Sequence, residues 1–164
     1  MTSILAEMFK HNLWANLRML DACAKVDDHI LDVAIVGTFG TIREMLIHLV
    51  GAEEGYGARP LGEAPSSRLP ASISVAELRE IAVKNGERLI AAAERGNVDR
   101  VIEGAWLENG EPFAHPLSTF FIQAINHGTD HRSQIATTLT QQGVEPPEVD
   151  GWTYDEHVAG NAPG

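Results

Sequence analysis

Cys23 is the only cysteine in 164 residues. That excludes an intramolecular disulfide and any zinc site built on several thiolates. It lies among alanines and leucines, the setting of a small core filler and not of a nucleophile. Basic residues are also scarce: 12 Lys and Arg against 23 Asp and Glu leave a formal charge of -11. Such a charge disfavours nucleic-acid phosphates and anionic membranes as partners. No apolar run approaches a membrane span. The opening MTSILAEMFKHNLWANLRML has no uninterrupted apolar segment behind a basic stretch, so no signal peptide is expected and a cytoplasmic protein is. Aromatics make up 6% of a chain that is 44% hydrophobic, so the interior has to be aliphatic and alanine-rich, as in helical proteins. No Ser-His-Asp arrangement, phosphate-cradling glycine loop or internal repeat stands out.

What the chain does have is helical periodicity in four long stretches. The first runs from Thr2 or Ser3 to about Val26, with Leu5, Met8, Asn12, Ala15, Met19 and Ala22 as its inward stripe. The second opens on a capping box, Thr41 with Glu44, and continues through Met45, His48, Leu49 and Ala52 to about Ala58, before Pro60. Residues 60–72 hold three prolines and three serines and read as a loop. The third helix starts at a second capping box, Ser74 with Glu77, stapled by Ile73 and Leu78, and ends at Gly96. Residues 101–106 and 112–115 then flank Glu108-Asn109-Gly110, which predicts a short hairpin. The fourth helix covers residues 117–142 and stops at Gly143, with Pro146 and Pro147 beyond. The tail carrying Trp152 and Tyr154 is expected to pack back, and residues 160–164 to be disordered. The predicted fold is all-α: one domain over residues 1–159, a four-helix bundle with a hairpin-like insertion between helices 3 and 4.

Two histidines interrupt the last apolar face. Phe120, Ala124, His127, His131, Gln134 and Thr138 follow a 4-3-4-3-4 spacing that keeps one helix face on one neighbour. Imidazoles on an interior face must be coordinated or hydrogen-bonded. A pair at i, i+4 sets both rings over one spot, the geometry a divalent metal asks of a helix. His48, on the stripe of the second helix, is the best third ligand. The alternative is three core histidines satisfied by hydrogen bonds. A histidine-only set suits zinc or nickel, with iron, copper and manganese as further options. Of the others, His11, His29 and His115 read as solvated or helix-end residues, and His157 belongs to an acidic tail that could reach a site.

Gly128 follows His127 where the metalloprotease motif carries its glutamate, so any reaction would use the metal itself. Glu44, one turn before His48, could act as a base, although its capping role explains it. Asn12 and Asn16 could support ligand imidazoles or hydrogen-bond across the helices. Asp130 and Arg132 are expected to point to solvent. Trp14, Tyr56 and Trp152 are candidate pocket walls.

The run from Asn126 to Ile135 (NHGTDHRSQI) closely resembles the last-helix motif of the DinB/YfiT-like family. His11-Asn12-Leu13-Trp14-Ala15-Asn16 is similar to its first helix, and Gly40-Thr41-Ile42-Arg43-Glu44 through His48 to Glu53 to its second. Gly143 to Pro147 with Asp150 and Trp152 is similar to its C-terminal end. The resemblance implies a four-helix bundle, commonly homodimeric, with a metal held by His48, His127 and His131. It also implies a thiol-dependent transferase or isomerase using bacillithiol, mycothiol or a glutathione-type thiol. A metal-dependent hydrolase and a non-catalytic metal-binding stress protein remain open beside it.

Overall fold

The computed structural model describes residues 3–66, 68–106 and 109–160. The described residues are mostly helical, with one small antiparallel sheet. In chain order the elements are α1 (Ile4–Cys23), α2 (Asp28–Leu31), α3 (Ile42–Ala58) and α4 (Val75–Glu94), then β1 (Val101–Ala105), β2 (Pro112–Pro116), α5 (Leu117–Gln141) and α6 (Gly151–Val158). A single 3-10 turn, Arg59–Leu61, prolongs α3.

The helix starts follow from their caps. Ser3 Oγ accepts from Ala6 N, and both capping boxes form: Thr41 and Ser74 each accept from the amide three residues on, while Glu44 and Glu77 reach back. Each such cap is worth about 1 kcal/mol. α5 has no side-chain cap, since Pro116 precedes it. Its first amides are satisfied by the hairpin instead, Leu117 N donating to Arg100 O and Ser118 N to Val98 O. Gly96 and Gly143, at φ of 66° and 74°, take the left-handed conformation that ends α4 and α5.

α1 packs on α4 and α5, and α3 packs on the same two helices. The apolar core divides into two clusters. One gathers Met19, Leu20, Met45, Leu46, Ile135 and Leu139. The other joins Phe9, Leu89, Phe120 and Phe121 to Ile102 and Phe113 of the hairpin. On α1, α3 and α5 alike, buried polar residues lie between the segments that feed these clusters: Asn12 and Asn16, Glu53 and Glu54, and His131 and Arg132. The candidate site is therefore a polar layer between two dry ones.

The hairpin forms as predicted, pairing Ile102 with His115 and Gly104 with Phe113. Of the turn, Asn109 and Gly110 are described, and Gly110 N donates to Trp106 O; Glu108, like Thr2 and residues 161–164 of the predicted tail, lies outside the described residues. Three expectations need correction. α1 ends at Cys23, and Asp27 opens the short α2 instead. Its buried face at the N-terminal end is Ala6 and Phe9, whereas Met8 is exposed. Both pairs are apolar at the same spacing, and only packing against α4 and α5 chooses between them. The tail is helical: Asp150 caps α6 by accepting from Trp152 N and Thr153 N. Tyr154 does pack back, its hydroxyl donating to Glu7 Oε1 at 2.9 Å, but Trp152 points outward, 83% exposed.

Candidate metal centre

α3 carries His48 toward α5, and the i, i+4 spacing on α5 brings His127 and His131 to the same point. One ring nitrogen from each of the three lies within 4.8 Å of the others. The Nε2 atoms of His48 and His127 are 3.0 Å apart. Two nitrogens bound to one ion at about 2.0–2.1 Å each sit roughly 3 Å apart, so the spacing fits a shared cation. His131 is buried and the other two are half-buried.

The donor set can be tested against the alternative of satisfied core histidines. The Nδ1 atoms of His127 and His131 are buried without a hydrogen-bond partner among the described residues. As core histidines, both rings would thus leave a buried nitrogen unsatisfied. Burial, with His131 and His48 adding to it, pushes His127 down to about 4, opposed by Asp130. Burial also lowers His131, again against Asp130. Both rings are thereby held neutral at pH 7, the form in which imidazole binds metal. The residues present fit a divalent ion.

An aromatic ring, Phe39, lies against two of the three imidazoles. Phe39 stacks on His48 with centroids 4.2 Å apart and an interplanar angle of 19°, and meets His131 edge-on at 5.4 Å. Its backbone N–H donates to Gln134 Oε1 at 2.8 Å, and Gln134 Nε2 donates to Asp130 Oδ2 at 2.9 Å. Asp130 thus orients the amide that straps Phe39 over the site. Sequence reading missed Phe39, because a loop residue between two helices has no periodicity to reveal it. Tyr56 meets His127 edge-on at 5.8 Å.

Behind the histidines lies a buried polar network. Asn12 and Asn16 donate through Nδ2 to Glu53 Oε1 at 2.7 and 2.8 Å. Arg132 Nη1 donates to Asn12 Oδ1 and Asn16 Oδ1 at 2.8 and 2.6 Å. Of the two roles weighed for the asparagines, this is hydrogen bonding across the helices. Arg132 corrects an expectation: it is buried, not on the surface. Its neighbour Gly128 makes the room, since a Cβ there would lie 2.8 Å from Asn12 Oδ1 and 2.9 Å from Arg132 Nη1. Burial pushes the Glu53 carboxyl above its usual range, against the pull of both amides and Arg132. Burial lowers Arg132, against Glu53.

A cavity of about 700 Å³ opens beside His48, walled by Phe39, Tyr56, Arg59, Leu69 and Trp106 among others. Of the three predicted aromatic walls only Tyr56 lines it. Trp14 packs instead with His11, Tyr154 and His157, because α6 folds over α1. Trp106, at the end of the hairpin, was not singled out from sequence. Glu44 also lines the cavity, yet its Oε2 accepts from Thr41 N as its capping role requires. His115 is half-buried beside Trp106 and Phe113, not solvated, and His11 is held by Val149 O at 2.9 Å. His29 is exposed, as expected. Cys23 is core, its thiol pushed up to about 12 by burial. No helix among the described residues is long and apolar enough to cross a membrane.

The model of the DinB family matches residues 1–161. No curated protein matches the sequence. Among solved structures, a DinB-like protein from Bacillus cereus ATCC 10987 superposes with a TM-score of 0.65 over 89% of this chain and 95% of its own, at 19% identity. At that identity the likeness speaks for the fold alone.

Proposed function

This chain belongs to the DinB family, and from that premise we propose a metal-dependent enzyme of the thiol-transferase kind, its divalent ion held by His48, His127 and His131. The observation that supports this best is the convergence of three imidazole nitrogens within 4.8 Å, with the Nδ1 atoms of His127 and His131 left unpartnered. Zinc or nickel is the expected ion, with iron, copper or manganese as alternatives. When bound, the ion would supply a Lewis acid that lowers the pKa of a cofactor thiol or of water.

The chain's own residues supply the rest. Three protein ligands leave positions for a guest, and His48 borders the cavity from which the guest would come. Phe39 and Tyr56 flank the imidazoles and limit water there. The thiol gives its proton to solvent. Its sulfur forms a bond to an electrophilic carbon, and the leaving group departs with the bonding electron pair. Hydrolysis is less well served. The three α3 carboxylates are engaged elsewhere, Glu44 with Thr41, Glu53 with Asn12 and Asn16, and Glu54 with Ser66.

In this reading the four long helices act as one bundle and one domain over residues 1–159. The homodimer rests on the family resemblance, and the cytoplasmic location on the opening sequence and the want of a long apolar run. The test is a conjugation assay on metal-loaded protein, with bacillithiol, mycothiol and glutathione against a panel of electrophiles. Conjugation that disappears in His127→Ala supports the proposal. Ester turnover without thiol would favour the hydrolase, and inactivity in both assays the non-catalytic metal protein.

A further inference from the structure

A second cavity, of about 240 Å³, adjoins the one beside His48 and is lined by Tyr56, Trp106, His115, Thr119, Phe120 and Gln123. Tyr56 and Trp106 line both cavities, so these two rings form the wall between them. The smaller cavity follows the helix face that leads to the histidines. Thr119, Gln123 and His127 stand at four-residue intervals on α5, each step a rise of about 6 Å. Tyr56 closes the same approach, meeting His127 edge-on at 5.8 Å.

The two cavities differ in charge. Glu44, Glu54, Arg59 and Arg68 border the larger, whereas among the described residues no Asp, Glu, Lys or Arg lines the smaller. Arg59 lies against Trp106 but lines only the larger cavity. What the smaller one offers is aromatic surface and three hydrogen-bonding side chains, His115, Thr119 and Gln123. None of these three side chains makes a hydrogen bond among the described residues. His115 is half-buried and held in place by its neighbours, its ring parallel to Phe113 within 5°. Thr119 and Gln123 stand exposed at the mouth. A charged guest would find no counter-charge on this lining. A cavity of roughly 150 Å³ encloses a benzene ring, so this one has room for one ring and a small substituent.

We propose that the smaller cavity binds a single uncharged aromatic ring bearing a hydrogen-bonding substituent, and that this ring belongs to the electrophile the thiol attacks. The second half of the proposal rests on the thiol reading and the first half does not. The arrangement leaves the charged cavity to the thiol and brings the two guests together at Tyr56, beside His127. It adds no step to the transfer already described.

The experiment is fluorine NMR titration of para-fluorobenzamide into metal-free and zinc-loaded protein, beside para-fluorobenzoate and fluorobenzene. The amide should bind about 10-fold more tightly than either, the benzoate lacking a counter-charge and fluorobenzene a hydrogen-bonding group. Gln123→Leu and His115→Phe should each reduce that preference and together abolish it, while Trp106→Leu should weaken all three ligands. Circular dichroism checks that the variants fold. Cobalt in place of zinc should broaden the fluorine signal of the bound amide, because its paramagnetism reaches a ring lying one or two helical turns from His127. Benzoate or fluorobenzene binding as well as the amide, a preference that survives the paired variant, or a signal no broader with cobalt than with zinc overturns the proposal. If no metal loads or no thiol is conjugated, it is the thiol reading that fails. The metal-free titration then decides the binding site, where an amide preference lost in the paired variant upholds it and equal affinities overturn it.

Discussion

Replacing Glu53 with leucine removes one side chain from the middle of three helices. Glu53 is fully buried, accepts from both Asn12 and Asn16, and is the carboxylate whose charge acts on buried Arg132. Leucine has similar bulk, so no large cavity is left. Two amide donors lose their acceptor and a buried guanidinium loses its counter-charge. Breaking a buried charged set by removing one partner costs about 3–5 kcal/mol. The separate hydrogen-bond losses belong to that same figure and do not add to it. For a chain of this size this is a shift of roughly 6–20 °C in Tm. The assay is urea denaturation of chelator-treated protein followed by circular dichroism, so that metal affinity does not enter. Arg132→Met and the double variant complete a cycle. The double variant should recover about 2 kcal/mol or more relative to the sum of the singles, because neither group is then left alone. A loss below about 1 kcal/mol for Glu53→Leu, or additivity within about 0.5 kcal/mol, would refute the account of the network.

Two further outcomes follow from the site. Cutting the strap with Gln134→Ala, or removing the lid with Phe39→Ala, should weaken metal retention about 10-fold in competition with a chelator, although neither change replaces a ligand; an unchanged affinity would show that the lid does not act on His48. In the metal-free protein, His127 sits at about 4 and His131 is also lowered. Between about pH 6.5 and about pH 4 the unfolded chain then binds protons that the folded chain excludes, so this contribution is full above the upper value and lost as pH falls. Denaturation midpoints should drop through that window, more steeply in the parent than in His127→Phe, and equal slopes would contradict the assignment.

Where a residue's role depended on its own helix, the sequence was readable. The Thr41 and Ser74 boxes, the stops at Gly96 and Gly143 and the Asn-Gly hairpin are local signals, and all appear where the residues put them. The histidine pair was legible for the same reason, since four residues on one helix fix the relation of two rings. His48 could be nominated but not joined to the pair, because the register between α3 and α5 comes from packing. Arg132 was misplaced because one position beyond His131 looks outward on an isolated helix; only the approach of α1, opened by Gly128, gives it partners. Phe39 and Trp106 sit on a loop and at a strand end, where neither period 3.6 nor period 2 marks them. α6 was missed although Asp150 supplied a cap, because eight residues carry too little periodicity to outweigh the prolines before them.

The most direct measurement is the elemental content of protein purified without an affinity tag, set beside His127→Ala. The account predicts close to one divalent ion per chain in the parent and little in the variant. A parent that stays empty after incubation with zinc, nickel, copper, iron and manganese would contradict it, and the three histidines would then be structural.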